Sequence, residues 1–285
     1  MTLEIIPSKS SCGAEIRGIN LKAQLSAEDS LAIYHAWLKY LVIYFRGQNL
    51  GENEHLRFTK YFGTPGDYMR PDNLKTNRMK KRHPAVMFIS NIRENGEPIG
   101  ALPDGEMMFH TDTAYDHHLH KATTLYSLEV PEKGGETIFS NQYAVYEALP
   151  GNLKSLLKGR DAYTAYEFGT TVKTKPKYDH KEKQSAMHPV FRLHEETGRM
   201  AVFVNELMTE EIEGLDKAQN IEILKKIFDL QRKPQFCYEH RWEVGDLIIW
   251  DNRCSLHARR DFPSDQRRLM RRITVQGNRP VYKGE

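Results

Sequence analysis

Apolar residues fall into short runs along the chain, not into long helical stripes. Residues 3–7, 41–45, 85–89, 123–130 and 136–140, then 201–205, 235–241, 247–251 and 269–277, combine β-branched or aromatic residues with Gly, Pro or Asn boundaries. Each such run predicts a strand. Helical periodicity is confined to 26–40, 52–61, 143–158 and 210–230, and the first of these opens on Ser26 as an N-cap followed by acidic residues. Strands spread over the whole length with few helices predict a mainly β domain, a sheet sandwich or jelly roll with flanking helices, spanning 1–285 as one unit. The alternation is wrong for a doubly wound βαβ fold, and no GxGxxG or P-loop sequence occurs. The polar, lysine-rich stretch at 170–189 reads as an exposed loop or lid, placed at about 168–188.

Composition narrows the class. A chain of 285 residues with 39% hydrophobic content can bury a full core. A net charge of +3 is too small to argue for nucleic acid. Cys12, Cys237 and Cys254 are scattered and form no CxxC, so neither a disulfide framework nor a zinc ribbon is expected. The N-terminal residues lack an apolar h-region, and no window approaches 18 apolar residues. A cytoplasmic protein without a membrane partner is the expectation.

One stretch concentrates metal-binding chemistry. In FHTDTAYDHH, residues 109–118, His110 and Asp112 stand two positions apart beside strand-like neighbours. Residues i and i+2 of a strand project from one face, the placement two ligands of one metal require. A third ligand must come from elsewhere. His257 lies 145 residues beyond Asp112, just after the apolar run 247–250 and the turn residues Asp251 and Asn252. Two His and one carboxylate form the facial triad of non-haem Fe(II) oxygenases, although zinc accepts the same donors. Trp250 reads as a pocket wall or as a plain core residue. His117, His118 and His120 read as solvated surface and receive no role.

The run RRLMRRITVQG, residues 267–277, adds charge to this picture. As a strand it sets Arg268, Met270, Arg272 and Thr274 on one face, with Leu269, Ile273 and Val275 on the other. Inward guanidinium groups are costly unless anions meet them, and Arg pairs carboxylates through its planar fork. An acidic ligand is expected. A basic surface strand is the alternative.

HTD at 110–112, GGET at 134–137, WDNRCSLH at 250–257 and RRLMRRITVQG at 267–277 together resemble the taurine dioxygenase and 2,4-dichlorophenoxyacetate dioxygenase family, TauD/TfdA. Thr137 stands 27 residues after His110 and Arg268 stands 11 after His257, in matching order and spacing. GAEIRGINL near the start and HPVFRLHEETGRMAVFVN at 188–205 extend the resemblance over nearly the whole chain. It implies a double-stranded β-helix, the jelly roll, with Fe(II) held by His110, Asp112 and His257. It further implies 2-oxoglutarate and O2 as co-substrates, the distal carboxylate of 2-oxoglutarate meeting Arg268 and Thr137. The implied reaction hydroxylates a small organic acid and releases succinate and CO2, with bond cleavage where the hydroxylated carbon carries a heteroatom.

The substrate contacts depart from the family pattern. Arg272 matches the arginine that grips the sulfonate in taurine-binding members. The asparagine four residues before the first iron ligand is replaced by Glu106, and alignment on YFG at 61–63 puts Tyr68 and Pro71 where a His and a Tyr stand. Taurine is therefore not the expected substrate. Met107, Met108 and Phe109 suit an apolar body, so an organic acid with an apolar part is expected, and Arg272, Glu106, Tyr68 and Trp250 are its candidate contacts. Self-association into a homo-oligomer is left open. The competing reading is a metal-dependent jelly-roll hydrolase or a non-catalytic metal-binding protein. A hydrolase needs a general base at the metal-bound water, for which Glu106 is the nominee.

Overall fold

The computed structural model describes residues 2–67, 82–101, 104–167, 169–172 and 184–280. Two sheets face one another. The larger contains β1 (Glu4–Pro7), β2 (Ala14–Arg17), β3 (Val42–Phe45) and β4 (Val86–Ser90), and it is completed by three later strands. Both sheets are antiparallel throughout except where β2 runs parallel to β3 in the larger one. The chain then supplies β5 (Met107–His110), β6 (His120–Glu129), β7 (Thr137–Asn141), β8 (Cys237–His240), β9 (Leu247–Asp251), β10 (Ser255–Arg259) and β11 (Leu269–Gln276). The order in the large sheet is β1-β2-β3-β9-β6-β11-β4, and in the small one β8-β7-β10-β5. Distant strands thus become neighbours, as a jelly roll requires.

The apolar run of β9 is continuous because both of its faces are buried. Leu247 and Ile249 point outward with Ile43, Phe45 and Val275, where Trp37, Phe58 and Phe62 cover them. Ile248 and Trp250 point inward and pack with Leu125 and Met270 against Phe139 and Tyr238 of the small sheet. The outer cover comes from α1 (Ala27–Tyr40) and α2 (Glu52–Lys60). Ser26 caps α1 as expected, its hydroxyl accepting from the Asp29 amide.

Two helix expectations are corrected. Residues 143–158 form two helices, α3 (Gln142–Ala148) and α4 (Gly151–Leu157), because Pro150 has no N–H to donate and Leu149 before it is extended. Residues 210–230 do not form one helix. Thr209–Ile212 is a strand paired to Asp161–Tyr166, Gly214 turns the chain at φ 75°, and α5 (Lys217–Gln231) starts at an Asp216–Gln219 capping box. Of the segment expected as a lid at 168–188, residues 184–188 belong to the strand Gln184–Pro189, which pairs with Asp161–Tyr166. Residues 168 and 173–183 lie outside the described set.

Candidate active site

β5 and β10 pair so that His110 lies directly opposite His257, with ring centroids 4.1 Å apart. β5 ends at His110, so Asp112 does not share a strand face with it. The expectation of one face is corrected here. The chain turns immediately, with Thr113 at φ 58°, and the turn carries the Asp112 carboxylate to the histidines. Ligand atoms of His110, Asp112 and His257 fall within 4.8 Å of one another.

The donor chemistry suits a divalent transition metal. His110 Nδ1 lies 2.9 Å from the Met108 carbonyl; the carbonyl can only accept, so Nδ1 carries the proton and Nε2 keeps a free lone pair. Burial lowers the pKa of both histidines, leaving them neutral, as ligands must be. Burial opposes ionisation of Asp112, but Arg272 and the neighbouring imidazoles outweigh it and hold its carboxyl well below the usual range. A second buried group, His194, Asp251 and Cys254, is a different matter. Arg253 holds both Asp251 oxygens at 2.8 and 2.7 Å and His194 adds a third contact at 3.0 Å, so that carboxylate is already satisfied.

The triad opens into a cavity of about 170 Å³ that also exposes Thr137, Trp250, Arg259, Arg268 and Arg272. Arg268 is 2% exposed, its Nε has no hydrogen-bond partner, and among the described residues no carboxylate pairs with it. Burial, and then the Arg259 cation, push its pKa down to about 9. Gly135 makes room for this side chain, since a Cβ there would sit 3.3 Å from Arg268 Nε, and its φ of 72° favours glycine independently. Thr137 lines the same space and its Oγ1 accepts from Trp242 Nε1 at 3.1 Å. The hydroxyl proton of Thr137 is thereby left for another acceptor. A buried guanidinium without an anion, beside a hydroxyl ready to donate, fits a carboxylate.

Arg272 sits nearer the triad, its Nη2 2.8 Å from Asp112 Oδ1 and its Nη1 against Met87 Sδ. Around it the wall is apolar, with Met87, Met107, Leu125, Met208 and the stacked pair Tyr115–Tyr166, whose centroids are 5.2 Å apart. Trp250 also lines the cavity, 4.7 Å from the His257 ring. Glu106 is exposed and does not line the cavity, so the structure does not bring it to the other expected substrate contacts. Tyr68 and Pro71 lie outside the described residues.

Sequence reasoning missed several residues of this site. Arg259 lines the cavity because the β10 alternation that points His257 inward also points Arg259 inward, a period-two signal that was readable. His120, assigned to the surface, is buried in the cavity wall beside Thr274. Thr123 and Asn252 meet Asp112 only through the register of β6 and β9, which no local pattern reports.

The architecture is a jelly roll whose cavity gathers two histidines and one carboxylate. The family profile described as "Taurine catabolism dioxygenase TauD, TfdA family" matches residues 4–274, and this chain belongs to that family. It is a 2-oxoglutarate-dependent dioxygenase, an oxidoreductase. Its relatives include pentalenolactone F synthase of Streptomyces avermitilis, 30% identical over 96% of this chain and 94% of that one. The alpha-ketoglutarate-dependent 2,4-dichlorophenoxyacetate dioxygenase of Cupriavidus pinatubonensis is also 30% identical, over 92% of this chain and 93% of that one. A taurine dioxygenase structure from Burkholderia xenovorans superposes with a TM-score of 0.79 at 25% identity, covering 98% of this chain and 92% of that one. Among the described residues no helix is long and apolar enough to cross a membrane.

Proposed function

We propose that His110, Asp112 and His257 bind Fe(II), that Arg268 and Thr137 hold the distal carboxylate of 2-oxoglutarate, and that the enzyme hydroxylates a small organic acid with an apolar body. The observation that carries the reading is Arg268, a fully buried cation whose only missing partner is an anion, in the cavity that holds the triad. A metal-dependent hydrolase has no use for that arginine, and its nominated base, Glu106, is exposed outside the cavity.

Fe(II) with 2-oxoglutarate and O2 supplies the oxidising power: one oxygen atom enters succinate as CO2 is lost, and the other enters the substrate C–H bond as hydroxyl. The protein supplies position. Arg268 clamps the co-substrate's far end while Thr137 donates to the same group. Arg272 takes the substrate's acid group, and Tyr115, Tyr166 and the methionines cover its apolar part and exclude water. If Met-rich walls adapt to varied bodies, chain length and ring size matter less than the acid. The test compares hydroxylated product with succinate across carboxylates, sulfonates and neutral analogues of matched shape. Coupled turnover confined to acids is expected; equal coupling with neutral analogues would remove the role given to Arg272.

A further inference from the structure

Asp112 is held by a chain of three other buried side chains, and the direction of every hydrogen bond in it is fixed. Trp250 Nε1 is a donor only, and it meets Asn252 Oδ1 at 2.8 Å. The other end of that amide is therefore Nδ2, which donates to Thr123 Oγ1 at 2.9 Å. With that lone pair taken, the Thr123 proton goes to Asp112 Oδ2 at 2.5 Å. Thr123 is fully buried, Asn252 is 3% exposed and Trp250 2%. The two carboxylate oxygens thus differ: Oδ2 is committed to a neutral hydroxyl, whereas Oδ1 faces Arg272 and lies 3.9 Å from His257 Nε2.

Asn252 also ties together the two segments that carry the ligands. Its main-chain carbonyl accepts from Thr111 Oγ1 at 2.8 Å, and Thr111 stands between His110 and Asp112. The same turn leads from β9 into β10, the strand that bears His257. One residue therefore contacts the His110–Asp112 turn through its backbone and, through Thr123, the Asp112 carboxylate itself.

We infer that Thr123 and Asn252 are positioning residues of the metal centre: the donor relay Trp250–Asn252–Thr123 pins Asp112 through Oδ2 and so leaves Oδ1, here paired with Arg272, as the oxygen turned toward the histidines. This rests on the reading that the triad binds a divalent ion. Partners of this kind are worth 10–100-fold in metal affinity.

The experiment measures Mn(II) binding to the full chain from the loss of the free-ion electron paramagnetic resonance signal, which needs no turnover. Thr123→Val keeps the β-branched shape and removes the donor, and should weaken binding about 10–100-fold. Thr123→Ser keeps the hydroxyl and should restore most of the affinity. Asn252→Ala leaves its carbonyl for Thr111 but cuts the relay; it should weaken binding alone and add little in the Thr123→Val background, as members of one network do. Asn252→Ala also supplies the test if Thr123→Val fails to fold. Unchanged Mn(II) affinity in Thr123→Val, a Thr123→Ser variant as weak as Thr123→Val, or fully additive losses would each overturn the relay. A parent protein that binds no Mn(II) would instead overturn the metal reading beneath it.

Discussion

Replacing Arg268 by Met should push stability and co-substrate affinity in opposite directions. The fall of its pKa from 12.5 to about 9 corresponds to roughly 5 kcal/mol disfavouring the buried charge, at 1.36 kcal/mol per tenfold. That is a ceiling, because Arg268 borders the cavity and is not packed on every side. Met has similar reach and no charge, and replacing buried charges by apolar residues commonly stabilises by about 1–4 kcal/mol. The ligand-free variant should gain about that much in urea unfolding at unchanged m-value. Affinity for 2-oxoglutarate, measured calorimetrically on Mn(II)-loaded protein, should fall by about 3–5 kcal/mol, roughly 10²- to 10⁴-fold, because the carboxylate loses its cation in a buried site. An Arg268→Met protein less stable than the parent, or one binding 2-oxoglutarate within about tenfold of it, would show that Arg268 is partnered or serves something else.

Three further outcomes follow from the same geometry. Arg272→Ala should spare metal binding and slow succinate formation, yet lower substrate hydroxylation by a factor of order 10²–10³; unchanged hydroxylation of the preferred acid would refute the assignment. Thr137→Ala should cost about 1.5–3 kcal/mol in 2-oxoglutarate affinity, less than Arg268→Met, and Trp242→Phe about 0.5–1.5 kcal/mol. The Trp242 effect should vanish in the Thr137→Ala background, and equal losses for Thr137→Ala and Arg268→Met would contradict the division of labour. Burial holds the His120 pKa down to about 4 against a usual 6.5. The unfolded chain therefore binds the proton first, and stability present above pH 6.5 is lost as pH falls toward 4. This one residue should cost about 1.2 kcal/mol at pH 5.5 relative to pH 7, and urea melts of His120→Gln should show that much less acid sensitivity.

The legible parts of this fold were those written into one segment. The strand at 247–251 announced itself because both faces are buried, and α1 because Ser26 and its acidic first turn satisfy the helix start locally. His110, Asp112 and His257 were found as residue types, but not as geometry: the period-two argument placed Asp112 on a strand that ends before it. Register explains most of what was missed. Nothing near Thr123 shows that β6 pairs with β9 and so sets Thr123 beside Trp250, and nothing near Trp242 points to Thr137. The helix expected from 210 failed because tertiary pairing of Thr209–Ile212 overrode its charge-rich composition.

The most direct test of the central claim is an anaerobic titration of the Fe(II)-loaded protein with 2-oxoglutarate, followed by visible absorption. Chelation of iron by a 2-oxo acid gives a metal-to-ligand charge-transfer band. A saturable band at one equivalent is predicted for the parent, absent from His257→Ala and displaced to much higher 2-oxoglutarate concentration in Arg268→Met. No band from the parent protein, or an undiminished one from His257→Ala, would contradict the site as described.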